Sequence, residues 1–127
     1  MTFEKPKKIF IVDDNVIFTE TMKDYLTKEV PHTISVFYTG EDCLKHISEN
    51  PDIIILDYYL NTVQKDAANG LEILNSIRKY YPDTHVVMLS SQESYATALQ
   101  SIQKGAEQYV IKDDSAFEKT LKMVQQM

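Results

Sequence analysis

The chain has 127 residues, a length typical of one domain, and we expect residues 1–127 to form a single one. Its 13 basic and 19 acidic residues give a net charge of −6, which argues against a nucleic-acid-binding module with a basic face. The single cysteine excludes an internal disulfide and fits a reducing cytoplasm, and no apolar segment approaches the length of a membrane span.

Strand and helix patterns alternate along the chain without an internal repeat or a Pro/Gly-rich linker. Short, uninterrupted apolar runs predict strands that are buried on both faces, as in a parallel sheet. The predicted strands are Ile9–Val12, Thr33–Tyr38, Ile53–Asp57, His85–Ser90 and Glu107–Ile111. A helix pattern follows each strand. In chain order, the apolar residues at helical spacing are Phe18, Met22, Tyr25 and Leu26; Cys43, Leu44 and Ile47; Leu71, Leu74 and Ile77; Tyr95, Leu99 and Ile102; and Phe117, Leu121 and Val124.

This alternation predicts the fold class and its topology. Five strands alternating with five helices imply right-handed crossovers and a three-layer α/β sandwich. We expect a doubly wound (βα)5 fold with a parallel sheet in the order 2-1-3-4-5, which places the ends of strands 1 and 3 at the switch point. Two local signals mark helix ends: Lys104-Gly105 predicts a C-terminal cap, and Ser115 with Glu118 predicts a capping box.

Four predicted strands end on a polar residue that can take part in chemistry: Asp13 with Asp14, then Asp57, Ser90 and Lys112. Ligands of open parallel sheets lie beyond the carboxyl ends of the strands, so we expect these side chains to converge. Each close pair of carboxylates costs on the order of 4 kcal/mol at an effective dielectric constant near 20. A divalent cation with oxygen ligands, such as Mg²⁺, offsets this repulsion. The set could therefore hold a cation and receive a phosphoryl group, although each acid taken singly also fits an ordinary turn.

These residues lie in motifs that resemble the receiver domain of two-component response regulators, of the chemotaxis-regulator type. The resemblance extends from Lys8 to about Val124 and depends on the order and spacing of its motifs. These are Ile9–Asn15, Ile54–Asp57, Gly70–Glu72, Leu89–Ser91, Lys104–Ala106 and Tyr109–Lys112. It implies a flavodoxin-like fold and a signalling module controlled by phosphorylation.

The resemblance also implies a phosphorylation and metal site. Asp57 matches the phosphoryl acceptor of the family. Asp14 matches the carboxylate that binds Mg²⁺ directly, and Asp13 matches the one that usually acts through water. The backbone carbonyl of Tyr59 matches the third protein ligand of the metal.

A second group of residues matches the family's switch. Ser90 matches the hydroxyl that binds a phosphoryl oxygen, and Lys112 matches the lysine that pairs with Asp57 or its phosphate. Tyr109 matches the aromatic residue that changes rotamer with Ser90, although a strand tyrosine can also serve packing alone. The implied partners are a histidine kinase or phosphotransfer protein, and a downstream protein or an output domain absent from this chain. They would contact the fourth helix, fifth strand and fifth helix; no direct contact with nucleic acid or membrane is expected.

The sequence departs from the family pattern near the site. Asp113 stands where the family usually has a proline, so we expect a different rigidity of the segment after Lys112. The stretch between Asp57 and Gly70 is several residues longer than usual. The extra residues, 61–69, fit either a solvent-exposed loop or a partner contact or lid beside the site.

Two other functions stay open from the residues. A degenerate receiver would bind partners without phosphorylation, but the complete acidic set argues against it. A Mg²⁺-dependent aspartyl phosphohydrolase would need a second acid shortly after Asp57, where Tyr58 and Tyr59 stand instead. We therefore expect a regulatory phosphoacceptor domain rather than an enzyme, one that catalyses only its own phosphoryl transfer and dephosphorylation.

Overall fold

A parallel sheet of five strands forms the centre of the computed structural model, which describes residues 5–91 and 94–127. All neighbouring strands run parallel, in the order β2-β1-β3-β4-β5, as the sequence predicts. The strands are β1 (Lys8–Val12), β2 (Thr33–Phe37), β3 (Ile53–Asp57), β4 (His85–Ser90) and β5 (Gln108–Ile111).

Helices connect the strands and cover both faces of the sheet. They are α1 (Val16–Glu29), α2 (Gly40–Lys45), α3 (Gly70–Tyr80), α4 (Tyr95–Gln103) and α5 (Ala116–Gln126), with a short 3₁₀ turn at Ile47–Glu49. The predicted cap after α4 is confirmed, because Gly105 adopts a φ of 110°, a conformation that favours glycine. No helix in the described part of the chain is long and apolar enough to span a membrane.

The predicted capping box at Ser115 is wrong. The side chain of Ser115 makes no capping hydrogen bond to α5. Its hydroxyl instead donates to Oδ1 of Asp113 at 2.8 Å, and its backbone N–H donates to the same oxygen at 2.9 Å. Hydrogen bonds to an ionised carboxylate are strong, and they turn the Ser115 side chain toward Asp113. The local contact with Asp113 therefore replaces the capping hydrogen bond.

The core consists of two apolar layers, one on each face of the sheet, because successive strand side chains point to opposite sides. On one face, strand residues pack with α1 and α5; this layer contains Ile9, Ile11, Ile53, Ile55, Val87, Leu89 and Val110 with Met22, Leu26, Ala116 and Val124. On the other face they pack mainly with α2 and α3; this layer contains Phe10, Val12, Ile54, Leu56, Val86 and Met88 with Cys43, Ile73, Leu74, Ile77 and Ala106. Burial on both faces explains why the strands read as continuous apolar runs.

Helix α4 differs from the other helices in the position of its apolar residues. Tyr95, Leu99 and Ile102, whose spacing predicts the helix, are 85%, 44% and 46% exposed. The only residue of α4 that is buried is Ser101. The apolar periodicity of this helix therefore marks a surface and not a core face, and it leaves an apolar patch beside β5.

Helix α3 begins in direct contact with the backbone that follows Asp57. The N–H of Gly70 donates to the carbonyl of Tyr58 at 2.8 Å. A Cβ atom at Gly70 would collide with the carbonyl oxygen of Asp57 and would lie 2.8 Å from Cα of Tyr58. Glycine is needed here because the two backbones approach each other so closely. This contact closes the loop at residues 61–69 and fixes the backbone at the end of β3.

We expect the substitution Gly70→Ala to lower the free energy of unfolding by about 1–3 kcal/mol, because the atoms that must move belong to the backbone. Gly40→Ala is a matched control, since Gly40 is the first residue of α2 as Gly70 is of α3. The nearest atoms to a Cβ at Gly40 all belong to the side chain of Ile73, so this substitution requires repacking of a side chain and not of the backbone. Urea unfolding of both variants checks this, and equal losses of stability would contradict the proposed difference.

Candidate functional site

Side-chain alternation along the strands decides which polar residues meet at the carboxyl edge of the sheet. Asp13, Asp57 and Lys112 continue the strand rows that face α1 and α5. Ser90 and Tyr109 belong to the opposite face, where Tyr109 packs against the second core layer. The site therefore has two parts, a charged cluster on one face and a hydroxyl pair on the other.

One ammonium lies between two buried carboxylates. Lys112 Nζ is 2.6 Å from Oδ2 of Asp13 and 3.3 Å from Oδ1 of Asp57. Asp13 is fully buried, Asp57 is 3% exposed, and the side chain of Lys112 is 14% exposed. The backbone N–H of Lys112 donates to the carbonyl of Ser90 at 2.8 Å, which holds the lysine against the end of β4. The pair of acids thus shares one positive charge.

This arrangement shifts the pKa of Asp57 upward, from its ordinary 3.8 to about 8. Burial is the largest cause, because it penalises the charged carboxylate, and the neighbouring Asp13 raises the pKa further. Lys112 acts in the opposite direction, but it does not cancel these two effects. The cluster consequently favours any additional positive charge, whether a proton or a metal ion.

The donor atoms at this edge fit a magnesium ion. One carboxylate oxygen from each of Asp13, Asp14 and Asp57 lies within 4.8 Å of the other two. Oδ2 of Asp13 is buried, and the ammonium of Lys112 is its close ion-pair partner. Oxygen ligands with spare lone pairs are what Mg²⁺ prefers, and it retains several waters beside them.

Asp14 reaches the same edge, but the loop at residues 61–69 engages its carboxylate. Asp14 is half-buried, and its Oδ2 accepts hydrogen bonds from Thr62 and Val63. The loop therefore lies beside the site, and its residues 62–66 are at the same time exposed to solvent. No sequence motif indicates this role for Thr62, because it depends on a contact across 48 positions of the chain.

Ser90 and Tyr109 form the second part of the site. Ser90 is fully buried at the end of β4, and Tyr109 is half-buried on the neighbouring strand β5. Burial raises the pKa of the Tyr109 phenol, while a hydrogen bond with the Ser90 side chain lowers it. The two residues that the sequence pairs as a switch are thus in contact.

Tyr59 follows β3 by two residues and lies near this pair. It is half-buried, and its ring packs edge-on against Tyr58 with the centroids 4.7 Å apart. Both tyrosines lie close enough to Tyr109 to raise its pKa electrostatically. The rings of Tyr58 and Tyr59 therefore lie beside the part of the site that contains Ser90 and Tyr109.

Phe18 belongs to the site, although no motif in the sequence predicts this role. The ammonium of Lys112 lies 4.6 Å from the centroid of the Phe18 ring, within the range of a cation–π interaction. Phe18 also packs against Phe117 of α5, with the ring centroids 5.4 Å apart. Helical spacing indicated only that Phe18 faces the core, because periodicity does not tell which residue an aromatic ring will contact.

Asp113 fixes the segment that follows Lys112. Its carboxylate accepts both hydrogen bonds from Ser115 and forms an ion pair with Lys119 at 3.6 Å. The Ser115 hydrogen bonds hold the pKa of Asp113 below its ordinary value. The negative charge of Asp113 is thus paired with the start of α5.

Comparison with known proteins gives one consistent family. The family model described as a response regulator receiver domain matches residues 9–125. The probable C4-dicarboxylate response regulator DctR of Bacillus subtilis is 31% identical over 110 residues, which cover 85% of this chain and 46% of that protein. The chemotaxis protein CheY of Thermotoga maritima is 24% identical over 107 residues, which cover 84% of this chain and 85% of that protein. The chain spans less than half the length of DctR.

A solved structure agrees with these sequence matches. The BeF3-activated receiver domain of DrrB from Thermotoga maritima is similar with a TM-score of 0.83 and 27% sequence identity. The match covers 96% of this chain and 97% of that chain.

In the metal-free protein, we expect Asp57 to make stability fall as the pH rises from about 4 to about 8. The folded state keeps a proton on Asp57 in this window that the unfolded state has already released, so each rise in pH favours unfolding. Asp57→Asn cannot titrate and should be more stable than the wild type at pH 8. Thermal unfolding in EDTA at pH 5 and pH 8 measures the difference between the two proteins, and a difference that does not grow toward pH 8 would contradict this assignment.

Proposed function

Because the chain belongs to the family of response regulator receiver domains of two-component signalling, we propose that Asp57 accepts a phosphoryl group and thereby switches a partner-binding surface. The observation that carries this proposal is the buried Asp57 carboxylate beside Asp13 and the ammonium of Lys112. Asp57 is a nucleophile in contact with one cation, Lys112, inside a cluster that carries excess negative charge. Once a metal ion adds positive charge, such a cluster suits the transfer of an anionic phosphoryl group.

The proposed metal ligands are Asp14 and Asp57 directly, Asp13 through water, and the backbone carbonyl of Tyr59. The closeness of the three carboxylates and the excess of their negative charge over the single Lys112 ammonium support this set. Mg²⁺ bound there supplies positive charge to the oxygens of the transferring phosphoryl group.

In the proposed transfer, an oxygen of the Asp57 carboxylate attacks the phosphorus of a phosphohistidine on a histidine kinase or phosphotransfer protein. The new O–P bond forms as the P–N bond breaks, and the imidazole leaves with its electron pair. Lys112 stays beside the reacting oxygens and neutralises charge that develops on them. The raised pKa of Asp57 means that nearby positive charge is needed to keep its carboxylate ionised for the attack.

The proposed switch starts at Ser90. A phosphoryl group on Asp57 presents new acceptor oxygens, and the Ser90 hydroxyl turns toward them and away from Tyr109. The Tyr109 ring then moves into the space that Ser90 leaves, which shifts the population between two packings of β5.

The surface that responds comprises α4, β5 and α5. Its apolar residues, Tyr95, Leu99 and Ile102, are exposed and adjacent to β5. We assign this surface to a downstream protein or to an output domain of a longer protein. This assignment fits a single receiver domain over residues 1–127 that works in the cytoplasm.

Phosphorylation is tested by incubating the protein with Mg²⁺ and acetyl phosphate and measuring the intact mass. We expect one added phosphoryl group that is labile to base in the wild type and in Asp66→Asn, whose acid lies in the exposed loop. Asp57→Asn should remain unmodified. An unmodified wild type would favour a degenerate receiver, and rapid turnover of phosphomonoesters would favour a phosphohydrolase.

Metal binding is tested through stability. We expect Mg²⁺ to raise the midpoint of thermal unfolding, because it relieves repulsion between the acids; at a concentration tenfold above Kd the gain is about 1.4 kcal/mol. The gain should be smaller in Asp14→Asn and unchanged in Asp83→Asn, a substitution of an exposed acid outside the cluster. Equal gains in all three proteins would place the metal elsewhere.

A further inference from the structure

We propose that residues 61–63 form a latch on Asp14, which competes with a divalent cation for this carboxylate and so sets the metal affinity of the site. The proposal rests on the metal site assigned above and adds a residue, Thr62, that the family resemblance does not provide. It gives the additional loop between β3 and α3 a role in controlling the phosphorylation site.

The contact between the loop and Asp14 is dense. Oδ2 of Asp14 accepts a hydrogen bond from the backbone N–H of Thr62 at 3.0 Å, a short one from the Thr62 hydroxyl, and a longer one from the N–H of Val63 at 3.3 Å. A carboxylate has about four lone-pair sites on its two oxygens, so three donors saturate one of them. A cation that binds this oxygen must displace a donor, and a cation that binds only Oδ1 meets a carboxylate whose negative charge three donors already partly neutralise.

The loop is anchored at both ends, and residues near its beginning contact Asp14. Leu60 is fully buried before it, and the N–H of Ala68 donates to Oε2 of Glu41 at 2.9 Å after it. Between these anchors, the side chain of Val63 is 72% exposed and contributes little packing. A movement of residues 61–63 between these anchors would break the Asp14 contact.

A cavity next to the loop leaves space into which its side chains can shift. A cavity of about 140 Å³ lies next to Asp14, with walls that include Val16, Tyr38, Leu60 and Val63. Its lining is mostly apolar, and Asp14 is the only charged residue among the residues that line it. Release of Asp14 toward the metal thus requires only a local rearrangement of residues 61–63.

The competition has a reciprocal consequence. If the loop lowers the affinity of Asp14 for the metal, the metal must weaken the hold of the loop on Asp14 by the same factor. We therefore expect Mg²⁺ to accelerate amide hydrogen exchange at Thr62 and Val63, whereas exchange in the core strand β3 should not accelerate.

The hydroxyl of Thr62 allows a direct test with matched variants. Thr62→Val keeps the shape of the side chain and removes the donor, and Thr62→Ser keeps the donor. Thr21→Val is the control, since Thr21 is also exposed but its hydroxyl donates to the carbonyl of Ile17 on α1. Titration with Mn²⁺, followed by electron paramagnetic resonance of the free ion and repeated with Mg²⁺ as competitor, measures the affinity without any enzymatic readout.

We expect Thr62→Val to bind both ions roughly threefold to tenfold more tightly than the wild type, the effect of one net hydrogen bond. Thr62→Ser and Thr21→Val should bind like the wild type. An unchanged or weaker affinity in Thr62→Val, with normal binding by the wild type, would overturn the latch and leave the proposed function intact. Absence of binding by all four proteins would overturn the metal site and the latch with it.

Discussion

Two buried carboxylates that share a single ammonium are the constraint around which this molecule is organised. Asp13 and Asp57 stand at the ends of neighbouring central strands, so the fold itself brings them together and removes them from water. Burial penalises the charge of Asp57 and Asp13 repels it, and because Lys112 offsets only part of these two effects, the pKa of Asp57 stays raised. A site with this imbalance gains stability from binding positive charge, and it is therefore suited to a cation and to the group transfer that the cation assists.

The two parts of the site lie on opposite faces of the sheet. The charged cluster lies on the face of α1 and α5, while Ser90 and Tyr109 lie on the opposite face. The peptide N–H of Lys112, which donates to the carbonyl of Ser90, joins the two parts through the backbone. In the proposed switch, a change of charge at Asp57 therefore acts on Ser90 and Tyr109 at the ends of the neighbouring strands β4 and β5.

The sequence predicted those features that follow from periodicity and from the geometry of parallel sheets. Apolar runs located the strands, and the rule that strand ends share one edge brought Asp13, Asp57 and Lys112 together. Contacts set by loop conformation were not predictable, because the donors to Asp14 come from Thr62 and Val63, 48 and 49 positions away. The capping box failed for a related reason, since Asp113 competed successfully for the Ser115 hydroxyl. Spacing located α4 correctly, but it could not distinguish an apolar face that is buried from one that is exposed.

The contacts at the start of α5 depend on the salt concentration and the pH of the solution. Where a proline would stiffen the chain by covalent geometry, Asp113 holds the helix start by accepting hydrogen bonds from Ser115 and pairing with Lys119. The Lys119 contribution is exposed and weakens with added electrolyte, and acidification removes the carboxylate charge on which both contacts depend. The start of α5, which borders the proposed docking surface, is therefore sensitive to salt and acid in a way that a proline-constrained segment would not be.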